Sequence, residues 1–127
     1  MDRPQVNVYI EVSIRGPAVR EGAYLYVLEY MIYGQPVTRC GYCRHEASEN
    51  QLTLEALIRA SERVRKPAEI RVFTRCGYVF NAIRNGWPQQ WKEVGWKNAR
   101  GKPVKNVALW DRLLYGDPPH TFTATEE

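Results

Sequence analysis

Two stretches near the C-terminal third decide how this chain reads: Trp91-Lys92-Glu93-Val94-Gly95-Trp96-Lys97, and Gly101-Lys102-Pro103-Val104-Lys105-Asn106-Val107-Ala108-Leu109-Trp110. They pack tryptophans, lysines, glycines and a proline into fixed spacings. Residues 87–105 hold Lys92, Lys97, Arg100, Lys102 and Lys105 against the single acid Glu93. That local excess equals the net charge of the whole 127-residue chain, +4. A basic patch confined to one segment points to a polyanionic partner.

Working outward, Val6, Val8, Ile10, Val12 and Ile14 alternate with Asn7, Tyr9, Glu11, Ser13 and Arg15, a period-two strand. Glu11 therefore points away from the apolar face. Tyr24 to Tyr33 and Val37 to Tyr42, joined through Gly34-Gln35-Pro36, complete an antiparallel meander. Ser48 with Gln51 forms a capping box that starts a helix through Leu54, Leu57, Ile58, Ser61 and Val64, stopped by Pro67. Ile70 to Thr74 reads as a central strand, Tyr78 to Ile83 and Val107 to Leu114 as helices, and Thr121 to Thr125 as a last strand. The order is β-β-β-α-β-α-α-β. Residues 1–127 form one domain in this reading, since no linker or repeat divides them.

These residues resemble bacterial-type ribonuclease H. In that family a W-K-x-x-G-W-K stretch lies in a basic protrusion, and K-P-V-K-N-x-D-L-W leads into the next helix. The resemblance implies an α/β ribonuclease H-like fold, a five-stranded mixed sheet flanked by helices. It covers nearly the whole chain and stops at about the fifth strand, before the family's final helix. It also implies an active site, in which four carboxylates hold two Mg²⁺ ions that cut the RNA strand of an RNA–DNA hybrid.

Position by position, those carboxylates are altered. Glu11 stands where the family has Asp in the first strand. Asn50-Gln51-Leu52-Thr53-Leu54 matches N-R-M-E-L, so Thr53 replaces the second acid. Thr74-Arg75-Cys76-Gly77-Tyr78-Val79 matches T-D-S-x-Y-V, so Arg75 replaces the third. The fourth lies past the fifth strand, where Glu126 and Glu127 remain. Arg75 puts a fixed positive charge where a cation would sit, and it is expected to pair with Glu11 across adjacent strands. Glu49, one helical turn before Thr53 and roughly 6 Å away, is the candidate substitute for the second acid. Glu55 is not, because two residues along a helix turns it to the far side.

The expected function is nucleic-acid binding, to an RNA–DNA hybrid or duplex, without cleavage and with no resident metal or cofactor. Candidate contacts are Trp87, Trp91, Lys92, Lys97, Arg100, Lys102 and Lys105 in the protrusion, with Arg15, Asn50 and Gln51 beside the altered site. Trp96 and Trp110 are assigned to packing. One alternative is a divergent, active enzyme using Mg²⁺ on Glu11, Glu49 and a tail acid. Another is a protein-interaction module or homodimer, presenting Tyr24, Tyr26 and Tyr30.

Three cysteines are an odd number and argue against a secreted disulfide framework. Cys40, Cys43 and His45 form C-x-x-C-x-H, but a strand sends the two thiols to opposite faces, which disfavours zinc. His120 reads as a surface residue. No apolar run approaches the ~20 residues of a membrane span, and Met1-Asp2-Arg3-Pro4 leads directly into a strand with no signal peptide. The expected location is the cytoplasm.

Overall fold

A computed structural model describes residues 3–126, so the readings that fall on Met1, Asp2 and Glu127 lie outside the described residues. Three strands open the chain: β1 (Gln5–Val12), β2 (Arg20–Ile32) and β3 (Gln35–Ala47). Helix α1 (Glu49–Glu62) leads to β4 (Glu69–Thr74). Helices α2 (Gly77–Asn85), α3 (Trp87–Glu93) and α4 (Val107–Leu114) follow, and β5 (Thr121–Ala124) closes the order. The sheet order is β3-β2-β1-β4-β5. β2 is antiparallel to both β1 and β3, while β4 is parallel to β1 and β5. This is the expected five-stranded mixed sheet.

Alternation along the strands decides where the core lies. Val6, Val8 and Ile10 of β1 share a buried face with Tyr24, Tyr26 and Leu28 of β2 and with Ile70 and Val72 of β4. Leu52, Leu54, Leu57 and Ile58 of α1, with Trp110 and Leu113 of α4, close over that face. The opposite face is more open. There Tyr9 stacks on Phe73 with ring centroids 4.6 Å apart, and Leu25 and Tyr42 are exposed as cross-strand partners.

Tyr24 and Tyr26 are only 5% exposed and belong to the core, and Tyr30 is half-buried against it. The partner surface expected from these tyrosines is therefore overturned. They lie on the helix-covered face of β2, where their rings supply buried area.

Four other expectations shift. The hairpin turn is Tyr33-Gly34, both with positive φ (49° and 78°), which suits a two-residue hairpin. Gln35 and Pro36 are the first residues of β3, and the proline is tolerated because β3 is an edge strand. β3 runs on to Ala47 because it pairs with β2 along its whole length, from Ile32↔Gln35 to Arg20↔Ala47. The stretch after Gly86 forms a helix of its own, α3, and α1 ends at Glu62, ahead of Pro67.

The capping box at Ser48 is present in both directions: Gln51 N–H donates to Ser48 Oγ at 3.2 Å, and Ser48 N–H to Gln51 Oε1 at 2.8 Å. It fixes the entry angle of α1 and so the position of Glu49 and Thr53. No described helix is long and apolar enough to cross a membrane.

Candidate nucleic-acid interface and the altered centre

The C-terminal ends of the parallel pair β1 and β4 meet the start of α1 and the 13–16 loop. Glu11, Arg15, Glu49, Thr53, Thr74, Arg75 and Cys76 line a shallow, tightly closed recess there. The positions singled out in separate parts of the sequence thus come together. Crevices outside the carboxyl ends of parallel strands are where ligands of α/β proteins usually sit.

The residues around this recess differ in how far they are committed. Glu49 Oε1 accepts the Gly16 N–H at 3.0 Å, and Oε2 stands 3.9 Å from Arg15. Thr53 is fully buried, and its hydroxyl donates to Glu49 O at 2.8 Å. Arg15 Nη1 donates to Val12 O (2.8 Å) and Ile14 O (3.0 Å). Asn50 Oδ1 accepts from the Cys76 thiol at 3.2 Å, and Gln51 Oε1 is used by the cap. Burial pushes the Cys76 thiol up from its ordinary pKa, so it remains protonated and a donor.

The expected Glu11–Arg75 pair is absent. Among the described residues no acid lies within 4.0 Å of Arg75, and no base within 4.0 Å of Glu11; both are exposed. The parallel register ends with Ile10↔Thr74, one step short of these two residues. Thr74 Oγ1 then accepts the Cys76 N–H at 3.1 Å, and this tight turn carries Arg75 out of strand register. Glu126, half of the tail considered for the fourth acid, faces Arg84 at 3.4 Å.

The protrusion is a built structure. Gly86, with φ of 67°, ends α2 and begins α3, so the two helices meet at a bend. Trp91 contacts Trp87, Tyr78 and the fully buried Trp110 at centroid distances of 6.2, 6.4 and 6.0 Å. Trp110 Nε1 donates to Tyr78 Oη at 3.3 Å. Trp91 and Trp110 therefore anchor the protrusion, while Trp87 is 37% exposed.

Beyond Gly95 the chain doubles back. Val104 N–H reaches Trp96 O at 2.9 Å, and Asn98 Oδ1 accepts from Arg100 N–H (2.9 Å) and Lys102 N–H (3.1 Å). Lys97, Arg100, Lys102 and Lys105 stand exposed on this loop with no acid within 4.0 Å among the described residues. Lys92 differs: its Nζ is 3.1 Å from Asp111 and 4.0 Å from the Tyr115 ring centroid, so it is committed to α4.

Elsewhere, β3 carries Cys40 and Cys43, and all three cysteines are free. His45 Nε2 is 2.5 Å from Glu55 Oε2, linking β3 to α1. Among the described residues no three His, Cys, Asp or Glu side chains are grouped to hold a metal ion. His120 is not a free surface residue. Its Nδ1 accepts the Ala68 N–H at 3.1 Å and its Nε2–H donates to Ser61 O at 3.2 Å. Sequence reasoning missed this tie, and no local signal marks it.

The family model for RNase H matches residues 3–124. A ribonuclease H from Methylococcus capsulatus is 32% identical over 117 residues, covering 92% of this chain and 72% of that protein. Other curated ribonuclease H relatives match over 44% to 54% of their own length, so the chain spans about half of them. Among solved structures, LC9-RNase H1, described as a type 1 RNase H with the type 2 active-site motif, superposes with a TM-score of 0.75 at 22% identity. That match covers 100% of this chain and 64% of the other. A foamy viral protease-reverse transcriptase, solved in complex with RNA/DNA hybrid, superposes with a TM-score of 0.58 at 15% identity, covering 99% of this chain and 17% of the other. At such identities the likeness is one of fold.

Proposed function

The chain belongs to the ribonuclease H family, and on that premise we propose that it binds nucleic acid, an RNA–DNA hybrid or a related duplex, without cutting it. The observation that carries this reading is the contrast between its two sites. The protrusion offers four exposed, acid-free cations, of which Lys97 lines the same surface groove as Trp87, on a loop held by backbone hydrogen bonds and by the Asn98 side chain. Cations so arranged contact phosphates with little regard to base sequence.

The recess offers a poor donor set for the family's metal pair. It has one exposed carboxylate in Glu11, one carboxylate already accepting a backbone N–H in Glu49, a hydroxyl donating elsewhere in Thr53, and a guanidinium in Arg75. Mg²⁺ needs several oxygen ligands in near-octahedral order, and a guanidinium offers only donors. The residues present do not fit two divalent ions. A cytoplasmic setting is part of the same reading, because three free thiols suit a reducing compartment.

One observation favours the alternative of a divergent hydrolase: Glu11 and Glu49 do line the same recess. A single assay separates the two. A labelled RNA–DNA hybrid is incubated with the protein in EDTA, Mg²⁺ or Mn²⁺, and both retention and cleavage are followed. The binding reading expects retention that weakens steeply with salt and intact RNA under all three conditions. RNA cleavage that needs the divalent ion and disappears in Glu11→Ala would overturn it.

A further inference from the structure

We infer that Arg75 is a phosphate-binding residue, gripping a backbone phosphate of the bound duplex at the ends of β1 and β4 with no divalent ion between them. This rests on the reading that the chain binds nucleic acid, and it assigns to the altered centre a role in that binding.

Arg15 is spent on two backbone carbonyls and Glu49. Arg84 faces Glu126, which lines the open groove beyond the recess. Of the two cations that line the recess, Arg75 is the one that makes no side-chain hydrogen bond and no ion pair to a described residue. A guanidinium left open on a structured turn, with five donors in a planar fork, is suited to two-point contact with a phosphate.

The turn also holds the residue in place. Its neighbours are pinned by the Thr74–Cys76 hydrogen bond and by burial of Cys76, so little backbone freedom is lost when a ligand arrives. Beyond the recess, Arg75 borders an open groove lined also by Thr74, Gly77, Phe80, Thr125 and Glu126, which leaves the guanidinium accessible to an extended backbone.

The two carboxylates at the recess act in opposite degrees. Glu49 is offset by Arg15 and the Gly16 N–H. Glu11 has no such partner, so it opposes a phosphate beside it. Removing its charge should therefore strengthen binding. A metal-mediated contact predicts the reverse, because Glu11 would be one of the ligands.

The test is fluorescence anisotropy of a labelled RNA–DNA hybrid in EDTA across a salt series. It uses wild type, Arg75→Ala, Arg75→Lys, Glu11→Gln and the protrusion variant Lys97→Ala/Lys102→Ala, with circular dichroism to confirm folding. Arg75→Ala is expected to weaken binding about tenfold and to reduce the slope of log K against log salt by about one. Arg75→Lys should recover part of the loss, and Glu11→Gln should tighten binding. Wild-type binding that is unchanged in Arg75→Ala, or that requires Mg²⁺, would overturn the inference while leaving nucleic-acid binding standing. Failure of the wild type to bind at low salt would remove the function itself and the inference with it.

Discussion

Cys40 and Cys76 meet solvent in opposite circumstances, although both are free thiols. Cys40 is exposed on edge strand β3, whereas Cys76 is 3% exposed, donates to Asn50, and is held protonated by burial. Because the thiolate is the reactive form, iodoacetamide at neutral pH should label Cys40 readily. Cys76 should react only when the chain is unfolded. Peptide mass spectrometry reads this directly, and equal native labelling would contradict the packing at the start of α2. At this scale the sequence was informative about type and weak about state. The alignment with the family's motifs placed Glu11, Thr53 and Arg75 at one centre, and the fold brings them there. The expected Glu11–Arg75 pair failed because it depends on a turn closed by the Thr74 hydroxyl, which periodicity does not reveal.

Elements whose signals are local are legible in the sequence. The capping box wrote the start of α1 into Ser48 and Gln51, and alternation wrote β1 into Val6, Val8 and Ile10. The full length of β3 was not legible, since its far half is polar and becomes a strand only through pairing with β2. Helix α3 was not separated from the protrusion because a seven-residue helix begun by Trp87-Pro88 and followed by Gly95 leaves little period to read. The protrusion as an element has two parts with different jobs: an aromatic root at Trp91 and Trp110, and a cationic tip. Lys97→Ala/Lys102→Ala touches only the tip. It should leave the melting temperature within a degree or two and lower hybrid affinity by roughly tenfold, with a salt slope reduced by about two. A large loss of thermal stability in this variant would mean that the tip lysines are structural.

At the scale of the whole molecule, the mixed sheet order and one helix-covered face follow from the β-β-β-α-β start. The ties that close the fold come from residues far apart in sequence. His120 is the clearest case. It joins Ser61 of α1, 59 residues away, to Ala68 ahead of β4, 52 residues away, from the position just before β5. Both ring nitrogens are engaged only in the neutral ring, with Nδ1 accepting and Nε2–H donating. Desolvation pulls its pKa below the ordinary value, with the Ser61 carbonyl acting the other way. The unfolded chain therefore takes up the proton first as pH falls. This residue's contribution is complete above its ordinary pKa of about 6.5 and declines as pH drops from there toward the lowered folded value. Wild-type unfolding midpoints in urea should fall across that window beyond what the carboxylates account for. His120→Gln should be less stable at pH 8 and flatter in its pH response near 6. An identical pH profile in the two proteins would show that the imidazole stays unprotonated for some other reason or does not bridge these elements in solution.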